Sequence, residues 1–172
     1  MSDADPTGDL RRLAELVDGE RAEAALALAD QLEARGVASP TIDKARANAW
    51  TTLARAWREG GDRAGAADAG ERITSLAPAW PVGWFELATD YKATGRIAEA
   101  IAAVARFVEL EPNQGDGWYN LACYRCIAGD IAGALAALEL AVGLAPENAQ
   151  VAVDDADFAA IRTDPRFIAI TA

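Results

Sequence analysis

Two cysteines, Cys123 and Cys126, stand three apart in the run Cys-Tyr-Arg-Cys, the spacing of a redox pair or of half a zinc site. Zinc as a rule takes four ligands, and the chain holds no further cysteine and no histidine to complete the set. A redox pair is activated where a thiol pKa is lowered, as at a helix N-terminus, whereas the pattern around Cys123 and Cys126 places both in mid-helix. They are expected to be structural or incidental, with an oxidisable surface pair as the alternative. The absence of histidine also removes the usual general base of serine and cysteine nucleophiles and the commonest metal ligand. No catalytic residue, cofactor or metal is therefore expected. Asp154, Asp155 and Asp157 offer carboxylates but lack the ligand spacing of a calcium loop. They are expected to form a solvated turn at a helix start, where the dipole favours acids. Arg125 is expected to point toward that segment and pair with one of its carboxylates.

Trp84, Tyr91 and Lys92 form another set with chemical potential, within the stretch Pro81–Pro112. Their positions follow a packing period instead. Trp50, Trp84 and Trp118 are spaced 34 apart and then 34 again, as are Leu53, Leu87 and Leu121; Ala66, Ala100 and Ala134; and Pro78, Pro112 and Pro146. Trp84, Leu87, Ala88 and Tyr91 make one helical stripe, and Ile97, Ala100, Ile101, Val104, Phe107 and Val108 make a second. Gly95 interrupts between them and Pro112 closes the unit. Each unit reads as two antiparallel helices that bury their stripes only when hairpins stack. The tryptophans, and Trp57 at the place of Tyr91, are expected in the core. Trp80 lies outside the pattern and is expected to be partly exposed.

The pattern W-x2-L-A-x2-Y-x3-G-x4-A-x3-V-x2-F-x4-P resembles the tetratricopeptide repeat. Three units match, at residues 47–80, 81–114 and 115–148, about three fifths of the chain. The resemblance implies an all-α fold, a solenoid of antiparallel helix hairpins. Departures fall at Gly70 and Ile73 in the first unit and at Arg125, which replaces the aromatic of the second. Residues 1–40 read as a degenerate N-terminal hairpin, with stripes Leu10, Leu13, Leu16, Val17 and Ala22, Ala25, Leu26, Ala29, Leu32. Residues 41–148 hold the repeats. Ser39-Pro40 is a good N-cap and first-turn pair. Residues 149–172 resemble the segment that closes bacterial arrays of this family, with Phe158, Ile161, Phe167 and Ile168 covering the third unit.

Lys44, Asn48, Thr51, Arg55 and Arg58 recur on one polar, cationic face beside an apolar one. In the family the concave surface is lined by positions two, five, nine and twelve of each unit. Carried over, the resemblance implies a groove of Asn48, Thr51, Arg55 and Arg58; Val82, Phe85, Thr89 and Lys92; and Asp116, Tyr119, Cys123 and Cys126. The family's clamp for a C-terminal carboxylate needs Lys and Asn where this chain has Thr51, Arg55 and Glu86, so that specialisation is not implied.

The bulk properties agree with an interaction module. The net charge of −11 repels phosphates at long range and argues against nucleic acid. No window approaches the roughly 20 apolar residues of a membrane span. The opening MSDADPTGDL has neither a basic nor an apolar run, so no secretory signal is expected, and two cysteines suit a reducing, cytoplasmic setting. The expected function is a scaffold or adaptor whose groove binds a protein or peptide segment, acidic with an aromatic or apolar anchor. The alternatives are a homo-oligomeric assembly unit and, behind it, an accessory subunit of an enzyme.

Overall fold

A computed structural model describes residues 6–18 and 21–172, and among these every regular element is a helix. The order is α1 Pro6–Asp18, α2 Ala22–Ala34, α3 Pro40–Glu59, α4 Arg63–Leu76, α5 Pro81–Ala93, α6 Ile97–Leu110, α7 Gly115–Ile127, α8 Ile131–Leu144 and α9 Glu147–Asp154, then a 3-10 helix Ala156–Ile161 and α10 Pro165–Ile170. Local chemistry sets the boundaries. Ser39 accepts from the Thr41 amide and Pro40 opens α3, as the sequence suggested. Asp62 and Asp130 cap α4 and α8 by accepting from Gly65 and Gly133, each at 2.9 Å. Gly61, Gly95 and Gly129, again 34 apart, turn the chain at φ 84°, 78° and 83°. A side chain there would meet its own backbone, which glycine avoids.

The chain forms two compact units, Met1–Gly83 and Trp84–Ala172. In the first, Leu13, Leu16, Ala25, Ala29 and Leu32 from α1 and α2 pack with Ile42, Ala45 and Ala49 of α3. A second cluster joins Ala54, Ala69 and Ile73 to the half-buried Trp50, Trp57 and Trp80. In the second unit, α6 and α8 each contact α7, the 3-10 helix packs on α7, and α10 packs on α8. Phe158, Ile161 and Phe167 are buried there.

The period marks where backbones approach. Ala66, Ala100 and Ala134 are each 0% exposed, so any longer side chain at these points must push neighbouring atoms apart. Gly117 is tighter still: a Cβ built on it would lie 2.5 Å from the Phe107 ring.

Three expectations change. Trp50, Trp57, Trp84 and Trp118 are half-buried, not core, because so large a ring is rarely covered completely. The Trp118 indole N–H accordingly turns out to donate to the Pro112 carbonyl at 2.8 Å. Ile168 is 55% exposed and is not part of the buried cover, the adjacent Phe167 having taken the buried side of α10. Arg125 does not reach the acidic segment; it donates to the Gly133 carbonyl at 3.3 Å and lies 3.8 Å from Asp130.

Candidate functional site

The residues singled out by the groove pattern divide between the two units. In the first unit, Asn48, Thr51, Arg55 and Arg58 share a face of α3, with Asn48 and Arg55 exposed and Thr51 and Arg58 half-buried. Their spacing of three, four and three residues keeps them within one helical stripe. Thr51 turns its hydroxyl back to the Ala47 carbonyl at 2.8 Å. Asn48 also lines a cleft of about 480 Å³ with Lys44, Leu76 and Trp80. Trp80 is half-buried as expected. Its place in this cleft escaped the sequence pattern because it is not one of the repeated positions, so periodicity carries no signal for it.

On a different side of the same unit, a cleft of about 680 Å³ is bordered by Asp30, Glu33, Arg46, Trp50, Asp68 and Arg72, among others. Arg46 bridges Asp30 and Glu33, both at 2.7 Å. The hydrogen bond to Glu33, then that to Asp30, raises the guanidinium pKa against the effect of burial. Arg72 lies 4.9 Å from the centroid of the Trp50 ring. Of these, only Trp50 was singled out from sequence, and as a core residue rather than as part of a cleft.

In the second unit the candidates are covered to different degrees. Val82, which precedes that unit in α5, and Asp116 are exposed, whereas Cys126 is buried. Phe85 and Thr89 are half-buried. The Phe85 ring packs 5.0 Å from that of Phe107, and the Thr89 hydroxyl donates to the Glu86 carbonyl at 2.7 Å. Lys92, Tyr119 and Cys123 come together on the acidic segment. The Lys92 ammonium pairs with the Asp157 carboxylate. Tyr119 donates to the Asp155 carboxylate at 2.8 Å, and the Cys123 thiol lies 3.8 Å from it. Asp155 accepts from the Asp157 amide at 2.9 Å and so caps the 3-10 helix. Phe158 then turns inward, fully buried, edge-on to Tyr119 at 5.7 Å and tilted on Phe167 at the same distance. Asp155 and Asp157 are thus half-buried anchors rather than parts of a solvated turn.

This cluster has little scope for nucleophilic chemistry. Burial pushes the Cys123 thiol far up, reinforced by Asp155 and Asp157, and burial likewise raises Cys126. A protonated thiol is a poor nucleophile and a poor metal ligand. The Cys123, Asp155 and Asp157 donor atoms lie within 4.8 Å of one another. Yet the Lys92 ammonium and the Tyr119 hydroxyl already meet the two carboxylates, so the donor set is internally satisfied. Burial, followed by the Asp155 hydrogen bond, also raises the Tyr119 phenol.

No family model matches the chain, and no curated protein matches it. Among solved structures it is similar to YrrB, described as a TPR protein with an unusual peptide-binding site. The TM-score is 0.67 at 17% identity, over 94% of this chain and 80% of that one. It is similar to MamA with a TM-score of 0.64 at 15% identity, over 91% and 90%. It also resembles the nearly identical TPR-like repeats of a Podosopora anserina putative kinesin light chain, at TM-score 0.54 and 18% identity, over 95% and 81%. At these identities the likeness is one of fold. The chain has the all-α fold of tetratricopeptide-repeat proteins, built from antiparallel helix hairpins.

Proposed function

We propose that the chain is a non-catalytic protein-interaction module, acting in the cytoplasm, that docks a segment of a partner protein against the α3 face bearing Asn48, Thr51, Arg55 and Arg58. The observation that carries this reading is that face itself, a polar and cationic stripe with Asn48 and Arg55 exposed, in a chain of net charge −11. A cationic patch on an acidic protein steers acidic segments toward one place and repels them elsewhere. The similar fold of a protein described as peptide-binding supports the choice of partner class. Among the described residues no helix is long and apolar enough to cross a membrane.

The test is capture of a partner from the source lysate, its identification, and titration of the purified partner against wild type and the Arg55→Glu/Arg58→Glu variant. The variant should bind at least tenfold more weakly with unchanged circular dichroism, and wild-type affinity should fall as salt rises. Equal affinity for both proteins would remove the α3 face from the reading.

A second reading, self-assembly, is favoured by a different observation. Helix α8 carries a single charge, Glu139, and its outward residues include Leu140 and Leu144 at 48% and 42% exposure beside Ala132, Ala136 and Gly143. A mass that rises with concentration in wild type but not in Leu140→Glu would support it.

A further inference from the structure

The acidic segment and the face beneath it have complementary chemistry of the kind expected between a groove and its ligand. Lys92 on α5 and Tyr119 and Cys123 on α7 present one ammonium, one phenol and one thiol. The segment Asp155-Ala156-Asp157-Phe158 presents two carboxylates and an aromatic ring. Each carboxylate meets a separate donor, Asp155 meeting Tyr119 and Asp157 meeting Lys92. The ring is 0% exposed and stands edge-on to Tyr119. The Lys92 ammonium also lies 5.8 Å from the centroid of the Tyr124 ring on α7. Charge-assisted hydrogen bonds with a buried aromatic anchor are the features by which a peptide segment is held in a groove.

We propose that Asp155–Phe158 is an intramolecular ligand, which occupies the Lys92–Tyr119–Cys123 face and closes it to acidic–aromatic segments of other proteins until it is released. The proposal rests on the partner-docking reading above and adds a second, normally closed face with its ligand chemistry. Tethering gives the segment an effective concentration in the millimolar range. A competing segment is therefore weakened by the fraction of molecules in which the face is open. Released, the face accepts a segment with two acids on alternate residues followed at once by an aromatic. Partners reading only the α3 face remain unaffected by the closure.

The test uses a labelled peptide with the sequence of Val153–Ile161, titrated at low salt against the full chain. The proteins are wild type, Asp157→Asn and Asp155→Asn/Asp157→Asn, whose substitutions weaken the tethered ligand and leave the receiving face intact. The double variant should bind the peptide at least tenfold more tightly than wild type, since both charge-assisted hydrogen bonds of the internal competitor are weakened. The single variant should fall between them. Adding Lys92→Glu to the double variant should abolish binding, and amides of residues 154–161 should exchange faster in both asparagine variants. Equal affinity across the three proteins overturns the proposal, and so does unchanged exchange. Faster exchange without peptide binding also overturns it and makes the segment a fixed structural cap. If the double variant loses helix content, the single variant decides by the same criteria. Arg55→Glu/Arg58→Glu on the double-variant background should leave peptide affinity within twofold, so failure of the α3 reading is seen separately.

Discussion

The Tyr119 hydroxyl donates to the Asp155 carboxylate at 2.8 Å, joining residues 36 apart in sequence. Asp155 simultaneously accepts from the Asp157 amide, so one side chain fixes both the start of the 3-10 helix and its seat on α7. Asp155→Ala should therefore cost about 1–3 kcal/mol, since it strands a half-buried phenol and removes a cap. Tyr119→Phe should cost about 0.5–1.5 kcal/mol, because only the hydrogen bond goes. Urea unfolding of both singles and the double should show them to be non-additive, as expected for direct partners. Strict additivity would mean that the bond contributes nothing to folding.

The buried thiols make a pH prediction. Burial holds Cys123 and Cys126 protonated in the folded chain to higher pH than in the unfolded one. Above about pH 8.5 the unfolded chain ionises its thiols first and gains stability relative to the folded one. Unfolding free energy should accordingly be flat in this respect below that pH and decline as pH rises above it toward the folded values. Cys123→Ala should show a shallower decline between pH 8 and pH 10 in urea midpoints. Identical slopes would show that Cys123 does not control this window.

Two glycines should respond in opposite directions to the same substitution. At Gly117 a methyl would sit 2.5 Å from the Phe107 ring and 2.9 Å from Val108, both on α6 and both buried. Neither can yield freely, so Gly117→Ala should destabilise by about 1–3 kcal/mol despite the helix-forming advantage of alanine. At Gly143 a methyl would meet nothing within 4 Å. Gly143→Ala should stabilise by up to about 1 kcal/mol, the propensity difference alone. Thermal melts separate the cases, and a stabilised Gly117→Ala would contradict the close approach of α7 to α6.

The 34-residue period made the helices, the glycine turns and the fully buried alanines legible, because each follows from a requirement repeated in every hairpin. Depth of burial was less legible. Trp84 marks an interface by its spacing, but spacing says nothing about how far the ring projects beyond it. Its half-burial lowers the expected cost of Trp84→Ala to about 2 kcal/mol, below the range for fully buried aromatics. The contacts of the acidic segment were not legible at all. Lys92 and Asp157 are 65 residues apart, and a repeat period cannot encode a contact made once, by a segment outside the repeats.

That contact gives the last prediction, which turns on which cation holds the segment. Arg125 was the candidate from sequence, as the residue that breaks the aromatic position of the third unit. Its side chain instead lies along the α7–α8 turn, near Asp130 and the Gly133 carbonyl, leaving Lys92 on the Asp157 carboxylate. Lys92→Met keeps most of the apolar stem and removes the charge, so Asp157, with its side chain 18% exposed, loses its partner. The cost should be about 1–3 kcal/mol, with faster amide exchange at residues 155–161. Arg125→Met should leave exchange there unchanged and speed it at residues 128–133, where the turn loses its tie to α7. Hydrogen exchange read by mass spectrometry distinguishes the two patterns. If Arg125→Met loosened residues 155–161 while Lys92→Met did not, the acidic segment would be held from α7 and not from α5.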